Sequence, residues 1–395
     1  MFVLLAALTV TANFDGGNIG KVELLSPTHI RCALTGQVDQ DGRNRQANAY
    51  YFRVEGAKGQ AITIDLVNLP GEYNYVPNQG AVTKDTVPVF SEDNRTWDNV
   101  AAIEFDAKVP QLRMRVTPKA NRIWISHVPP YTNDQLARLI SAARYRPNFK
   151  SEEIGKSVKG RPLFLFTITD SKVPEANKKV IWLMARQHSW ESFSSWVAEG
   201  AVRFLLSDEP EAKQLRQGAI WKILPAADPD GLASGGVRFN AHGFDLNRNW
   251  DIEDPIKMPE ITAQRKAIFG WLDGGHRLDL FLSMHNTETS EYLEGPPNSD
   301  GRFKALGERF FTLLKEKTTF APTRELTWAA ETTSSGKAGR MNVSQGLWRD
   351  RQLPAFISEQ RISMNSKLGR IATIDDRMKY SVELVQAMFA AVQVK

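Results

Sequence analysis

The run Val180-Ile-Trp-Leu-Met-Ala185 constrains the fold more than any other stretch of the chain. Six apolar side chains in succession leave no polar face, so a strand here must be covered on both sides. Helices packed on both faces of a sheet supply that cover. Segments of matching character alternate along the chain from about residue 126. Runs 163–169, 219–224, 278–284 and 355–358 read as further strands. Runs 135–144, 196–206, 261–272, 303–317 and 375–392 read as helices, the first capped by Thr132 or Asn133 and the last carrying Met378, Val382, Val385 and Phe389 on one face. The alternation predicts an α/β domain over residues 126–395, with a mixed, largely parallel twisted sheet flanked by helices.

Residues 1–125 follow a different period. Short strand-like runs recur at 22–25, 49–54, 61–67, 102–105 and 112–116, several of them alternating polar with apolar, as in Leu112-Arg-Met-Arg-Val116, and turn-forming residues separate them. This pattern predicts an antiparallel β-sandwich domain. A length of 395 residues accommodates both domains. The net charge of +5 is mild, and no Lys/Arg cluster marks a nucleic-acid footprint. A single cysteine excludes an intrachain disulfide. No apolar run reaches the length of a membrane span. The opening residues 1–10 read as a first strand, with a cytoplasmic location. The alternative is the remnant of a secretory signal with Val10-Thr-Ala12 as a cleavage-like site, which would place the protein in the periplasm or outside the cell. The sequence leaves the oligomeric state open.

Ligand sites in open α/β sheets lie beyond the carboxyl ends of the strands. His188 and Glu191 follow run 180–185, His285 follows run 278–284, and Glu359 follows run 355–358. An imidazole and a carboxylate three residues apart at a strand end can turn toward one point, which suits zinc with its N and O ligands. The H-x-x-E pair alone is common; three metal-or-base residue types at three strand ends are far more specific. Asp228-Pro-Asp-Gly231 reads as a turn. Arg238, Asn247 and Arg248 follow closely, and Asn247 with Arg248 can form a fork for a carboxylate, unless they simply make surface ion pairs.

Longer stretches resemble the zinc metallocarboxypeptidases, in the branch of the cytosolic carboxypeptidases and their bacterial relatives. Asn13-Phe-Asp-Gly-Gly-Asn-Ile19, Tyr51-Phe-Arg-Val54, Ile64-Asp-Leu-Val-Asn-Leu69 and Pro129-Pro-Tyr-Thr132 are similar to that branch's amino-terminal β-domain. Gly155-Lys-Ser-Val-Lys-Gly-Arg-Pro162, His188-x-x-Glu191, Pro229-Asp-Gly231, Arg238 and Asp245-Leu-Asn-Arg-Asn-Trp250 resemble its catalytic domain. The resemblance implies one zinc ion held by His188, Glu191 and His285, with Glu359 as general base. It implies Arg238 at the scissile carbonyl, Asn247 with Arg248 on the substrate's terminal carboxylate, and Asp245 behind the first zinc histidine. The implied substrate is the carboxyl end of a peptide or protein. Related enzymes of this branch trim glutamates, so an acidic last residue is expected, with Thr332, Lys337 and Arg340 near the specificity pocket. An amidase acting on N-acyl amino acids or cell-wall peptides is the alternative, and an inert binding protein a third. The sequence departs from the family pattern at Ser189-Trp190, where Pro-Gly is usual, and at Asp228. The family's tyrosine over the site has no counterpart between Tyr292 and Tyr380.

Overall fold

The computed structural model describes residues 7–42, 44–73, 76–333 and 336–393. Residues 1–6, and with them six of the ten residues of the opening run, lie outside the described residues. Thr9–Thr11 forms an edge strand against Tyr51–Glu55.

The amino-terminal region packs two five-stranded sheets face to face. Alternating residues from both, including Ile30, Phe52, Ile64, Leu112, Met114 and Ile123, form one core. The pairing is antiparallel except between His29–Ala33 and Ile62–Val67, which run parallel. Strands His29–Ala33 and Arg122–Ser126 extend the expected set. A further four-stranded sheet of short strands, Gln37–Val38, Arg45–Gln46, Gly71–Tyr73 and Val76–Asn78, lies in the same region.

The second region is built on an eight-stranded sheet. Its order is Phe149–Lys156, Pro162–Ile168, Ala219–Leu224, Lys179–Ala185, Leu280–Thr287, Ala355–Arg361, Tyr292–Gly295 and Thr327–Trp328. The three pairings from Ala219–Leu224 through Ala355–Arg361 are parallel. Lys179–Ala185 behaves as its composition requires. Ile181, Leu183 and Ala185 enter a core formed with helices Ser192–Leu205, Lys304–Lys317 and Ile374–Val392. Trp182 and Met184 enter the core on the opposite face, against Pro259–Asp273 and Val343–Arg351. The strand's period of two thus sends apolar side chains to both layers. The helix at Asn133–Ala143 starts at a capping box made by Thr132 and Gln135.

Two strand ends fall later than expected. Leu280–Thr287 continues through His285, and Ala355–Arg361 continues through Glu359, so the backbones of both residues are fixed inside the sheet. Val343–Arg351 forms a further helix with Asn342 as its cap.

Candidate metal centre

The strand Lys179–Ala185 ends on Arg186, which takes a left-handed backbone at φ 67°. A non-glycine residue there is strained, and strain of that kind collects at functional turns. Arg186 is buried and braces the turn it opens: its Nε donates to Ser189 O at 2.7 Å and its Nη1 to Ser195 Oγ at 3.2 Å. The turn brings His188 and Glu191 to one side. Ser189 between them packs against the Gly231 turn, and Trp190 lines the cleft beside them. Ser189 Oγ lies 2.3 Å from where a Cβ on Gly231 would sit, so the Asp228–Gly231 turn can tuck beneath the metal turn only with glycine there. Trp190 packs its ring 5.7 Å from that of His127, at the seam with the β-region.

The three ligand candidates converge. His188 Nδ1 lies 2.7 Å from Glu191 Oε1, and His285 Nδ1 lies 2.8 Å from Glu191 Oε2. One ligand atom from each residue falls within 4.8 Å of the others. The outward nitrogens are fixed separately. His188 Nε2 meets Asp245 Oδ1 at 3.0 Å, and His285 Nε2 meets Ser283 Oγ at 3.0 Å and Gln187 Oε1 at 3.1 Å. Gln187 is oriented by donating through Nε2 to Leu246 O. With the Nε2 protons directed outward to acceptors, both Nδ1 lone pairs face the same point. Burial opposes ionisation of Glu191, and a proton on either neighbouring imidazole favours it. Two imidazole nitrogens and an ionised carboxylate form a donor set that fits zinc and leaves a coordination position open.

Glu359 stands next to His285 across the parallel pair of strands and next to Tyr292 across the antiparallel one. Burial, then the neighbouring Glu191, pushes its pKa well up, against the pull of Arg238 and Arg248. Its Oε2 is buried without a protein partner. Burial also works against the Asp245 carboxylate, but Arg238 and His188 hold its pKa well below the usual range. Asp245 Oδ2 accepts from Arg238 Nε at 2.7 Å, so one carboxylate sets both the imidazole and the guanidinium. Gln37, from the β-region, fixes the same loop. Its Oε1 accepts from the backbone N–H groups of Val237, Arg238 and Phe239 at 3.0, 2.7 and 2.8 Å.

A cleft of about 800 Å³ contains the site. His188, Glu191, Arg238, Asn247, Arg248 and Glu359 line it from the α/β side; Gln46, Asn48 and the stretch 78–85 close it from the β-region. Asn247 is tied in place, with Oδ1 accepting from Val343 N at 2.9 Å and Nδ2 lying 3.3 Å from His285 Nε2. Arg248 Nη1 donates to Asn247 O at 2.8 Å. Thr332, Lys337 and Arg340 are not among the described residues that line this cleft. Tyr292 does line it, with the Arg324 guanidinium 3.5 Å over its ring. It immediately precedes the interval in which the sequence offers no tyrosine. The sequence reading also passed over Arg186, Gln187, Gln37 and Glu288. A buried arginine and glutamine directly after a wholly apolar strand were the available signal for the first two.

A family model described as zinc carboxypeptidase matches residues 137–296, and one described as cytosolic carboxypeptidase N-terminal domain matches residues 10–127. The chain belongs to the zinc carboxypeptidase family. Mouse cytosolic carboxypeptidase 6 is 33% identical over 302 residues, covering 71% of this chain and 54% of the mouse protein. The chain thus spans about half the length of that relative. An uncharacterized protein of Zymomonas mobilis is 29% identical over 317 residues, covering 79% of this chain and 77% of the relative. Among solved structures, a metallo-carboxypeptidase of Burkholderia cenocepacia superposes with a TM-score of 0.82 at 24% identity, over 98% of this chain and 99% of the other. That likeness extends across both regions of the fold. No described helix is long and apolar enough to cross a membrane.

Proposed function

We infer that the chain is a zinc-dependent carboxypeptidase that hydrolyses the last peptide bond of a peptide or protein. The observation that carries the reading is the convergence, in one cleft, of the His188–Glu191–His285 donor set, the buried Glu359 beside it and the guanidinium groups of Arg238 and Arg248. Zinc bound by those three residues would polarise the scissile carbonyl and make a water acidic near neutral pH. Glu359 accepts the proton of the attacking water and delivers it to the leaving amine, a role suited to a carboxyl whose pKa burial has raised. Arg238, oriented by Asp245, faces the oxygen on which negative charge develops. Arg248, beside Asn247, receives the substrate's terminal carboxylate, so that only the last peptide bond reaches the metal.

An acidic last residue is the narrower reading. Lys337 and Arg340 are its support in the sequence, and neither lines the cleft. Arg324, stacked on Tyr292, is the cation that stands over a lining residue. The test measures zinc content together with turnover of peptides ending in Glu, Lys and Phe and of an N-acyl amino acid, in the parent and in Glu359→Gln. The variant keeps its zinc and loses about 10²–10⁴-fold in turnover. A fully active variant refutes Glu359 as base. Turnover of acyl amino acids alone supports the amidase, and Phe peptides cleaved as well as Glu peptides remove the acidic preference.

A further inference from the structure

Glu288 lies three residues past His285, just beyond the end of strand Leu280–Thr287, and it lines the cleft. Nothing in the reaction described above uses it. Its carboxylate is held from across the domain seam, where Asn48 Nδ2 of the β-region donates to Glu288 Oε1 at 2.7 Å. An amide donor orients a carboxylate without neutralising it. Of the cations lining the cleft, Arg238 is paired with Asp245 at 2.7 Å and Lys84 with Asp85 at 3.2 Å, while Arg248 donates to Asn247 O. Asp85 lines the same wall, and both acids also border a smaller adjoining cavity of about 130 Å³. With Lys84 and Asp85 paired to each other, Glu288 supplies the negative charge of the wall where the two regions meet.

Its place along the cleft follows from its neighbours. Glu288 and Asp85 stand where the cleft meets the smaller cavity, whose lining includes none of Arg248, Tyr292 and Glu359. Arg248 lies with Asn247, whose Oδ1 is bound to Val343 N, on the α/β side of the cleft. A substrate with its terminal carboxylate on Arg248 and its scissile carbonyl at Arg238 runs onward past Glu288 toward residues 78–85.

Resting on the carboxypeptidase reading, we propose that Glu288, oriented by Asn48, is a specificity residue that selects a cationic side chain, lysine or arginine, at the position just before the cleaved bond. A charged substrate side chain gains a charge-assisted hydrogen bond there, and an acidic one meets like charge. The β-region then contributes directly to substrate choice, because it supplies the amide that fixes the carboxylate.

The experiment compares kcat/KM for peptides that share one last residue and carry Lys, Ala or Glu immediately before it. In the unaltered protein the Lys peptide exceeds the Glu peptide by roughly tenfold or more, the worth of one charge-assisted hydrogen bond. Glu288→Gln, whose amide oxygen can still accept from Asn48, brings that ratio toward one, and Glu288→Lys inverts it. Zinc content and thermal unfolding establish that each variant is folded. A ratio near one in the unaltered protein, which needs no variant, overturns the proposal. So does a ratio that Glu288→Gln leaves in place. In both cases the peptides are still cleaved and the carboxypeptidase reading stands. Failure to cleave any peptide overturns that reading, and this inference with it.

Discussion

Replacing Asp245 with asparagine tests the geometry of the metal centre most directly. Asp245 Oδ1 accepts from His188 Nε2 at 3.0 Å and from Asn247 N at 2.8 Å, while Oδ2 accepts from Arg238 Nε at 2.7 Å. An asparagine offers one acceptor oxygen and one donor group, so it cannot serve both sides. With its oxygen toward His188, its amide faces the Arg238 donor, and a charge-assisted bond of about 1.5–3 kcal/mol is lost. With its oxygen toward Arg238, its amide faces His188 Nε2. The imidazole then carries its proton on Nδ1, the nitrogen aimed at Glu191, and metal must displace it. Removing the partner of a metal-binding histidine typically costs 10–100-fold in metal affinity or activity. Asp245→Asn is therefore expected to bind zinc about 10–100-fold more weakly, or about 1.4–2.7 kcal/mol. Competition against a chelator of known affinity measures the first effect. The kcat/KM for the best peptide at saturating zinc isolates the contribution through Arg238. A folded variant with unchanged zinc affinity and unchanged kcat/KM would refute the claim that this carboxylate sets both groups.

Three other outcomes follow from the same contacts. His127 is fully enclosed at the domain seam and burial pushes its pKa down to about 4, so below pH 6.5 the unfolded chain takes up a proton that the folded protein refuses. Stability should fall by up to about 3 kcal/mol as pH drops from 6.5 toward 4; urea unfolding at several pH values checks this, and a slope unchanged in His127→Phe counts against it. Gln37→Ala removes the acceptor for three backbone N–H groups around Arg238 and should cost about 1–3 kcal/mol along with a fall in kcat, and a variant unaltered in both denaturant midpoint and kcat would dispose of the idea. Leu282 is wholly buried in the central sheet, so Leu282→Ala should destabilise by about 2–5 kcal/mol in denaturant titration, and a loss well under 1 kcal/mol would mean the sheet does not pack as described.

The sequence by itself determined the class of fold and, through its resemblance to the zinc metallocarboxypeptidases, singled out the candidate metal ligands. A wholly apolar run can be satisfied only by cover on two faces, and Lys179–Ala185 has it. Strong periodicity placed Ala219–Leu224 at its observed bounds and the last helix to within one residue of its start. His188 and Glu191 were legible because they share one turn. His285 and Glu359 were legible as residue types near strand ends, although the ladder carries both inside their strands.

Tertiary structure alone decided the surroundings of that centre. Gln37 and Arg238 are 201 positions apart, and Asn48 and Glu288 240. No local spacing encodes contacts that exist only because the β-region docks against the strand ends. Tyr292 and Arg324 likewise meet through sheet pairing, which brings Tyr292 beside Glu359. Thr332, Lys337 and Arg340 show the converse: the family resemblance pointed to them, and they are not among the described residues that line the cleft. Residue chemistry and short spacing single out candidate metal-binding atoms, because those atoms sit within a turn or near a strand end. The wall that chooses a substrate is assembled across the seam between two regions, and its composition follows from how they pack.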